Sequence, residues 1–219
     1  MPEPSELDIR SERTLAYRFY RSLIFGLWYL MFRPKTIGRE NIPATGPVLI
    51  APTHRSNIDF AFTLFMTKRK TFFMSKDSLF RVPILSQFIL MMGAFSVKRG
   101  SADRNSLDMA QEVLRRGEAL VLYPEGTRKE GAHVEHLHDG AMFIAARTNA
   151  VVVPVGIGHT QRAMPRGAKI PRPVRVTIVI GKPISAPSSE GRVSRSALTA
   201  ASEELRSALE IAYTQAEQM

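Results

Sequence analysis

The chain is 219 residues long, carries a formal charge of +10 and contains no cysteine. That length suits one domain with a substantial core, and the missing cysteine excludes disulfides, thiolate metal sites and a cysteine nucleophile. The charge needs an anionic partner, and it is interleaved with large apolar residues in "YRFYRSLIFGLWYLMFRPK" (17–35), "FMTKRKTFFMSK" (65–76) and "LFRVPILSQFILMMGAFSVKR" (79–99), which suits an anionic membrane interface better than a nucleic-acid groove.

The polar, acid-containing start "MPEPSELDIRSER" is not a secretory signal peptide. A helix follows over about 14–32, closed by Pro34. Its apolar run 23–32 is far shorter than the ~20 residues of a bilayer span. It can lie in a membrane surface, with Arg18, Arg21, Arg33 and Lys35 near the headgroups and Phe25, Trp28, Tyr29 and Phe32 as interface residues. The competing reading is a helix buried against its own domain.

"GRENIPATGP" (38–47) is a turn-rich connector. A strand (48–53), a mostly apolar helix (58–69) and a short strand (71–75) come next, then a second apolar helix (84–92) opened by Pro83 and an alternating strand (94–98). The segment 102–116 has Leu107, Ala110 and Leu114 at helical spacing, with Gly117 as the stop. "ALVLYPEG" is a buried strand ending in a turn, 140–149 is a short helix, and 151–158 and 174–181 are buried strands. The last helix, about 194–216, carries Leu198, Leu205, Leu209 and Ala212 on one face. Apolar strands alternating with helices predict an α/β fold: a single domain with a largely parallel β-sheet covered by helices on both faces and an N-terminal amphipathic helix. The expected division is a helical segment, 1–34, and an α/β domain, 35–219.

Three strand exits carry candidate chemistry. "APTHRSNID" (51–59) places His54 where an apolar strand ends, a position at which α/β proteins hold ligands, and Asp59 five residues later. Ser56 and Asp59 also have the spacing of a helix capping box. On one continuous helix residues five apart diverge by ~140°, at ~100° each. His54 and Asp59 therefore meet only if His54 lies in the loop and Asp59 in the first turn, with Ser56 or Asn57 as N-cap. In "LVLYPEGTRKEG" (120–131), Gly126 permits close backbone approach or an unusual dihedral, Thr127 offers a hydroxyl and Arg128 can fork onto a phosphate, the competing reading being a plain turn with a solvated arginine. "GAFSVKRG" (93–100) ends in Lys98 and Arg99. If the three strands are parallel neighbours, these groups gather along one rim of the sheet as a base beside two anion-binding arginines.

These motifs resemble those of the lysophosphatidic acid (1-acyl-sn-glycerol-3-phosphate) acyltransferases and the wider glycerolipid acyltransferase family with a His-x4-Asp motif. "HRSNID" matches that motif, "GAFSVKR" resembles the second block, "PEGTR" matches the third and "VVVPVGI" resembles the fourth, with Pro154 as its proline. The resemblance covers roughly residues 35–185. The chain departs from the pattern at Thr53, at Lys98, at "KDSL" (76–79) and at "LHDG" (137–140), which bears on the phosphate contacts and the acceptor.

The resemblance implies acyl transfer with His54 as general base and Asp59 holding the imidazole in its working tautomer. It implies that Arg128, Arg99 and Lys76, with Gly126 and Thr127, bind the acceptor's phosphate. Glu125 either orients an arginine or contacts the glycerol. The apolar helices at 58–66 and 84–92 either line an acyl-chain groove or are plain core. No metal or cofactor is expected, acyl-CoA or acyl carrier protein being a co-substrate. The expected partners are a lysophospholipid, the acyl thioester and an anionic membrane surface, without nucleic acid, at the cytoplasmic face of the cell membrane as a monotopic or peripheral protein. Other acceptors within the family, such as glycerol 3-phosphate or another lysophospholipid, stay open, as does a non-catalytic anionic-lipid binder.

Overall fold

A computed structural model describes residues 15–76, 80–81, 83–97, 104–187 and 193–219 of the chain. Its elements in chain order are α1 (Leu15–Phe32), β1 (Lys35–Ile37), β2 (Val48–Pro52), β3 (Thr71–Lys76), α2 (Pro83–Met91), β4 (Ala94–Val97), α3 (Arg104–Arg115), β5 (Ala119–Val121), α4 (Gly140–Thr148), β6 (Val151–Gly158), α5 (Thr160–Ala163), β7 (Thr177–Ile180), β8 (Ile184–Ser185) and α6 (Arg195–Glu217), with 3₁₀ turns at Arg39–Asn41 and Asp59–Phe65.

The strands join one sheet in the order β1-β7-β6-β2-β5-β3-β4, with β8 paired to β6. Strands β6, β2, β5, β3 and β4 run parallel, and β7 pairs antiparallel with β6. Strand β1 runs parallel to β7. The start of β7 therefore lies beside the end of β6, with Thr177 opposite Gly158.

Strand periodicity splits the core into two faces. Leu49 and Ala51 point into a cluster with Phe72, Leu120, Val152 and residues of α3, α4 and α6. Val48 and Ile50 point into the opposite cluster, with Val121, Val153 and Ile178, the 59–65 turn and Phe32 of α1. Both faces are thus covered by helices, as the apolar strands predict.

Local chemistry sets several boundaries. Gly117, at φ +77°, ends α3 in a Schellman turn, its N–H donating to the Leu114 carbonyl and that of Glu118 to Val113. The Ser194 hydroxyl caps α6 by accepting the Ala197 N–H. Gly156 and Gly158 let α6 lie directly on β6: a Cβ at the first would overlap the backbone of Ala212 and Tyr213, and one at the second that of Ala216.

The structure corrects some expectations. The apolar helix expected over 58–69 is a 3₁₀ turn, 59–65, whose last carbonyl, that of Phe65, is taken by Thr36 and Arg39 side chains instead of continuing a helix. The strand expected from 174 begins at Thr177. Strands β1 and β8 are too short to show a pattern in the sequence. Helix α1 packs on the domain along part of its surface. Tyr17 and Phe32 are buried, and Phe25 stacks on Phe65, while Leu15, Phe19, Leu23, Leu27 and Leu30 are exposed. Arg21, expected at the headgroups, donates to the Thr67 carbonyl. No helix among the described residues is long and apolar enough to cross a membrane.

Candidate active site

Strand β2 ends at Pro52, and the loop after it turns His54 into the rim before the 3₁₀ turn begins at Asp59. His54 Nδ1 lies 2.8 Å from Asp59 Oδ2. The same carboxylate oxygen accepts the backbone N–H groups of Arg55 and Ser56, each at 2.7 Å. The expected capping box is half formed. Asp59 reaches back to the Ser56 N–H, but the Ser56 hydroxyl donates to the Met164 carbonyl instead. The residue preceding the 3₁₀ turn is Ile58, which has no capping side chain. Asp59 is fully buried; its Oδ2 takes all three of these contacts, while Oδ1 has no hydrogen-bond partner among the described residues.

The third motif follows β5, which pairs directly with β2. Glu125 turns inward and is 1 % exposed. Both its oxygens accept from Arg55 Nη1 at 2.8 Å, and Oε2 also accepts the His54 backbone N–H at 3.1 Å. Of the two roles expected for Glu125, orienting an arginine is the one its geometry fits. That arginine is Arg55, and the carboxylate has no open face for a glycerol.

Arg55 is itself buried. It donates to the His133 carbonyl at 3.1 Å and sits 4.6 Å over the Tyr213 ring of α6. Burial by itself would lower its pKa, but the charge and hydrogen bonds of Glu125 outweigh that and hold the guanidinium above its usual value. Sequence reasoning missed Arg55 and Tyr213. An arginine after a motif histidine reads as solvated, and nothing in the pattern of the last helix sets Tyr213 apart from its core neighbours.

Tyr123, just before the third motif, was also missed. Its ring stacks on His54 with centroids 4.1 Å apart. Its hydroxyl is buried with no hydrogen-bond partner among the described residues. Burial first, and then the charge of Asp59, push the phenol well above the usual tyrosine pKa.

The remaining expected residues divide. Gly126, at φ +70°, has the left-handed backbone that glycine favours, and a Cβ there would meet His138 at 2.9 Å. Thr127 and Arg128 are exposed beside the histidine loop, which the Lys129 N–H ties down by donating to the His54 carbonyl at 2.9 Å. Strand β3, ending at Lys76, lies between β5 and the edge strand β4. The exits of β2, β5, β3 and β4 therefore share one rim. Arg99, Lys98 and the Lys76 side chain lie outside the described residues.

A cavity of about 260 Å³ opens at His54 and Tyr123. Phe60, Ala61 and Leu64 of the 3₁₀ turn, Phe88 and Ile89 of α2, and Ile24 of α1 line it. It joins a proton-accepting imidazole to an apolar slot. No group of His, Asp and Glu among the described residues is placed to hold a metal. The arrangement can take a proton from a hydroxyl beside a bound apolar chain.

The fold is that of the crystal structure of the 1-acyl-sn-glycerophosphate acyltransferase PlsC from Thermotoga maritima, with a TM-score of 0.70 over 91% of this chain and 83% of that one, at 24% identity. The chloroplastic 1-acyl-sn-glycerol-3-phosphate acyltransferase LPAT1 of Arabidopsis thaliana is 30% identical over 176 residues, covering 76% of this chain and 49% of that protein. The 1-acyl-sn-glycerol-3-phosphate acyltransferase of Bacillus subtilis is 25% identical over 169 residues, 77% of this chain and 82% of that protein. The chain spans about half the length of the plant and algal relatives it matches. The family model described as Acyltransferase matches residues 33–158, a segment that contains β2, β5, His54, Asp59 and the whole Pro-Glu-Gly-Thr-Arg loop; the chain belongs to the acyltransferase family.

Proposed function

We propose that the chain is an enzyme that moves a fatty acyl group from acyl-CoA or acyl carrier protein to the sn-2 hydroxyl of 1-acyl-sn-glycerol 3-phosphate, giving phosphatidic acid for phospholipid synthesis. The observation that carries this is the His54–Asp59 pair at the mouth of an apolar cavity. With Nδ1 engaged by Asp59, Nε2 is the nitrogen left to act as base. It takes the hydroxyl proton as the acceptor oxygen forms a bond to the thioester carbonyl carbon. The C–S bond then breaks, and the departing thiolate takes the proton back from the imidazolium. Asp59 stabilises the imidazolium while it exists. The substrate hydroxyl is itself the nucleophile, so no acyl-enzyme is required.

In this reading Arg128 and Thr127, with Arg99 and Lys76, grip the acceptor's phosphate, and Gly126 lets the backbone approach it. The apolar cavity takes an acyl chain. Residues 1–34 supply the membrane-contacting segment, whose exposed Leu15, Phe19, Leu23, Leu27 and Leu30 suit the acyl boundary of a bilayer. The protein then sits on the cytoplasmic face of the membrane that holds its acceptor.

The test is purified protein with labelled acyl-CoA or acyl carrier protein and a panel of lysophosphatidic acid, glycerol 3-phosphate and other lysophospholipids. Labelled phosphatidic acid is the expected product. Transfer to a different acceptor corrects the substrate. No transfer to any acceptor overturns the reading in favour of a non-catalytic lipid binder.

A further inference from the structure

The reversal of β7 and β1 relative to the other strands brings their starting ends to the rim where β2, β5 and β3 finish. Lys35, at the start of β1, and Arg175, just before β7, therefore share a rim with His54. Beside them Arg33 follows α1. These three cations line an open cleft of about 800 Å³, flanked by Tyr29 and Leu30. Both flanking residues are more than half exposed. None of the three cations pairs with an acid among the described residues. The sequence around them is free of acids as well. No Asp or Glu stands between Glu12 and Glu40, or between Asp139 and Glu190.

We infer that this cleft is a second phosphate site, which holds the headgroup of an anionic bilayer phospholipid that is not the substrate. Three like charges around one hollow repel one another unless an anion enters. The phosphate of a bilayer lipid is the anion that fits, because the exposed Tyr29 and Leu30 at its edge belong in the interfacial layer beside that headgroup. Strand β1 is three strands from β2 in the sheet, roughly 14 Å at ~4.8 Å per step. A lipid held in the cleft would keep His54 close to headgroup level without competing for its pocket. The inference rests on the membrane-surface reading proposed above.

The test measures partition of the full chain onto phosphatidylcholine vesicles with and without phosphatidylglycerol. Lys35→Gln/Arg175→Gln is compared with Lys169→Gln/Arg172→Gln, which removes the same charge from exposed positions outside the cleft. Arg33 is left in place because its backbone is left-handed, at φ 42°. At about fivefold per surface cation, the cleft pair should lose about 30-fold on the anionic vesicles and the control pair less than about threefold. Lys35→Arg should bind as the unaltered chain does. Equal losses in the two pairs would show diffuse attraction and overturn the cleft, as would no loss in either. Displacement from vesicles by inorganic phosphate at matched ionic strength would show a free-phosphate site and overturn the headgroup assignment. Acyl transfer by the unaltered chain to a short-chain acceptor, dissolved below its micellar concentration, is measured in parallel. Its absence would defeat the acyl-transfer proposal, while the vesicle comparison would still decide the cleft.

Discussion

His54 Nδ1 and Asp59 Oδ2 lie 2.8 Å apart, and that oxygen also accepts the N–H groups of Arg55 and Ser56. One atom thus both orients the imidazole and shapes the loop that presents it. Asp59→Asn separates the two duties, because an amide oxygen can accept the same N–H groups without the charge. The amide nitrogen would replace Oδ1, which is buried without a partner among the described residues, so stability should fall by about 1–3 kcal/mol while the folded protein's kcat falls by at least ~10²-fold. His54→Ala should lower the rate by at least ~10²-fold, the worth of a positioned general base. A folded His54→Ala protein with full activity would show that the histidine is not the base.

Removing Arg55 alone leaves the Glu125 carboxylate buried and uncompensated. Arg55→Met should therefore cost about 3–5 kcal/mol of stability. Adding Glu125→Gln should recover part of that loss, since no charge is then left unpaired. Denaturant unfolding of the two variants checks this; a double variant no more stable than Arg55→Met would mean that the pair is not coupled.

Arg128 differs in being exposed. If it grips the acceptor's phosphate, Arg128→Ala should raise the acceptor's KM by about 10- to 150-fold, corresponding to roughly 1.5–3 kcal/mol for a charge-assisted hydrogen bond. The donor's KM should hardly move. Some loss of kcat should accompany this, because the phosphate grip positions the hydroxyl. Lysine at this position should rescue only partly, lacking the bidentate fork. A defect confined to acyl-CoA would reassign the arginine to the donor's phosphates.

Glu210 of α6 holds the loop that covers Arg55. It accepts from the Val134 N–H and pairs with His133 at 2.8 Å. Partial burial would raise its pKa, but those hydrogen bonds and the charges of His133 and Arg206 outweigh it and lower the carboxyl below its usual value. A depressed carboxyl contributes stability above its unfolded pKa and loses it as pH falls through the folded one. The latch should therefore hold at neutral pH and loosen below the ordinary value of about 4.3. Hydrogen exchange at Val134 should accelerate over that acidic range, beyond the intrinsic dependence. Glu210→Gln should remove the excess.

The apolar strands and the quoted motifs made the α/β class and the separate strand exits at His54 and Glu125 legible, since each lies within one short stretch, but their sharing a rim depended on strand order. The placement of β3 between β5 and β4 was not legible, because strand order depends on pairing between segments far apart in the chain. Arg55 stayed hidden for a related reason. Its partners, Glu125, His133 and Tyr213, lie 70 or more residues away, and only burial distinguishes it from a solvated arginine. The 3₁₀ form of 59–65 escaped because its side-chain pattern is that of any short apolar helix.

Gly156 and Gly158 act as a spacer of zero thickness. Helix α6 is seated on β6 at backbone contact, so Tyr213 reaches Arg55 only because two side chains are absent from the strand beneath. Even alanine at Gly156 would wedge the helix outward and lift its tyrosine from the guanidinium. The alignment of the histidine loop is therefore gauged partly from the opposite side of the sheet, by residues that never approach a reactant.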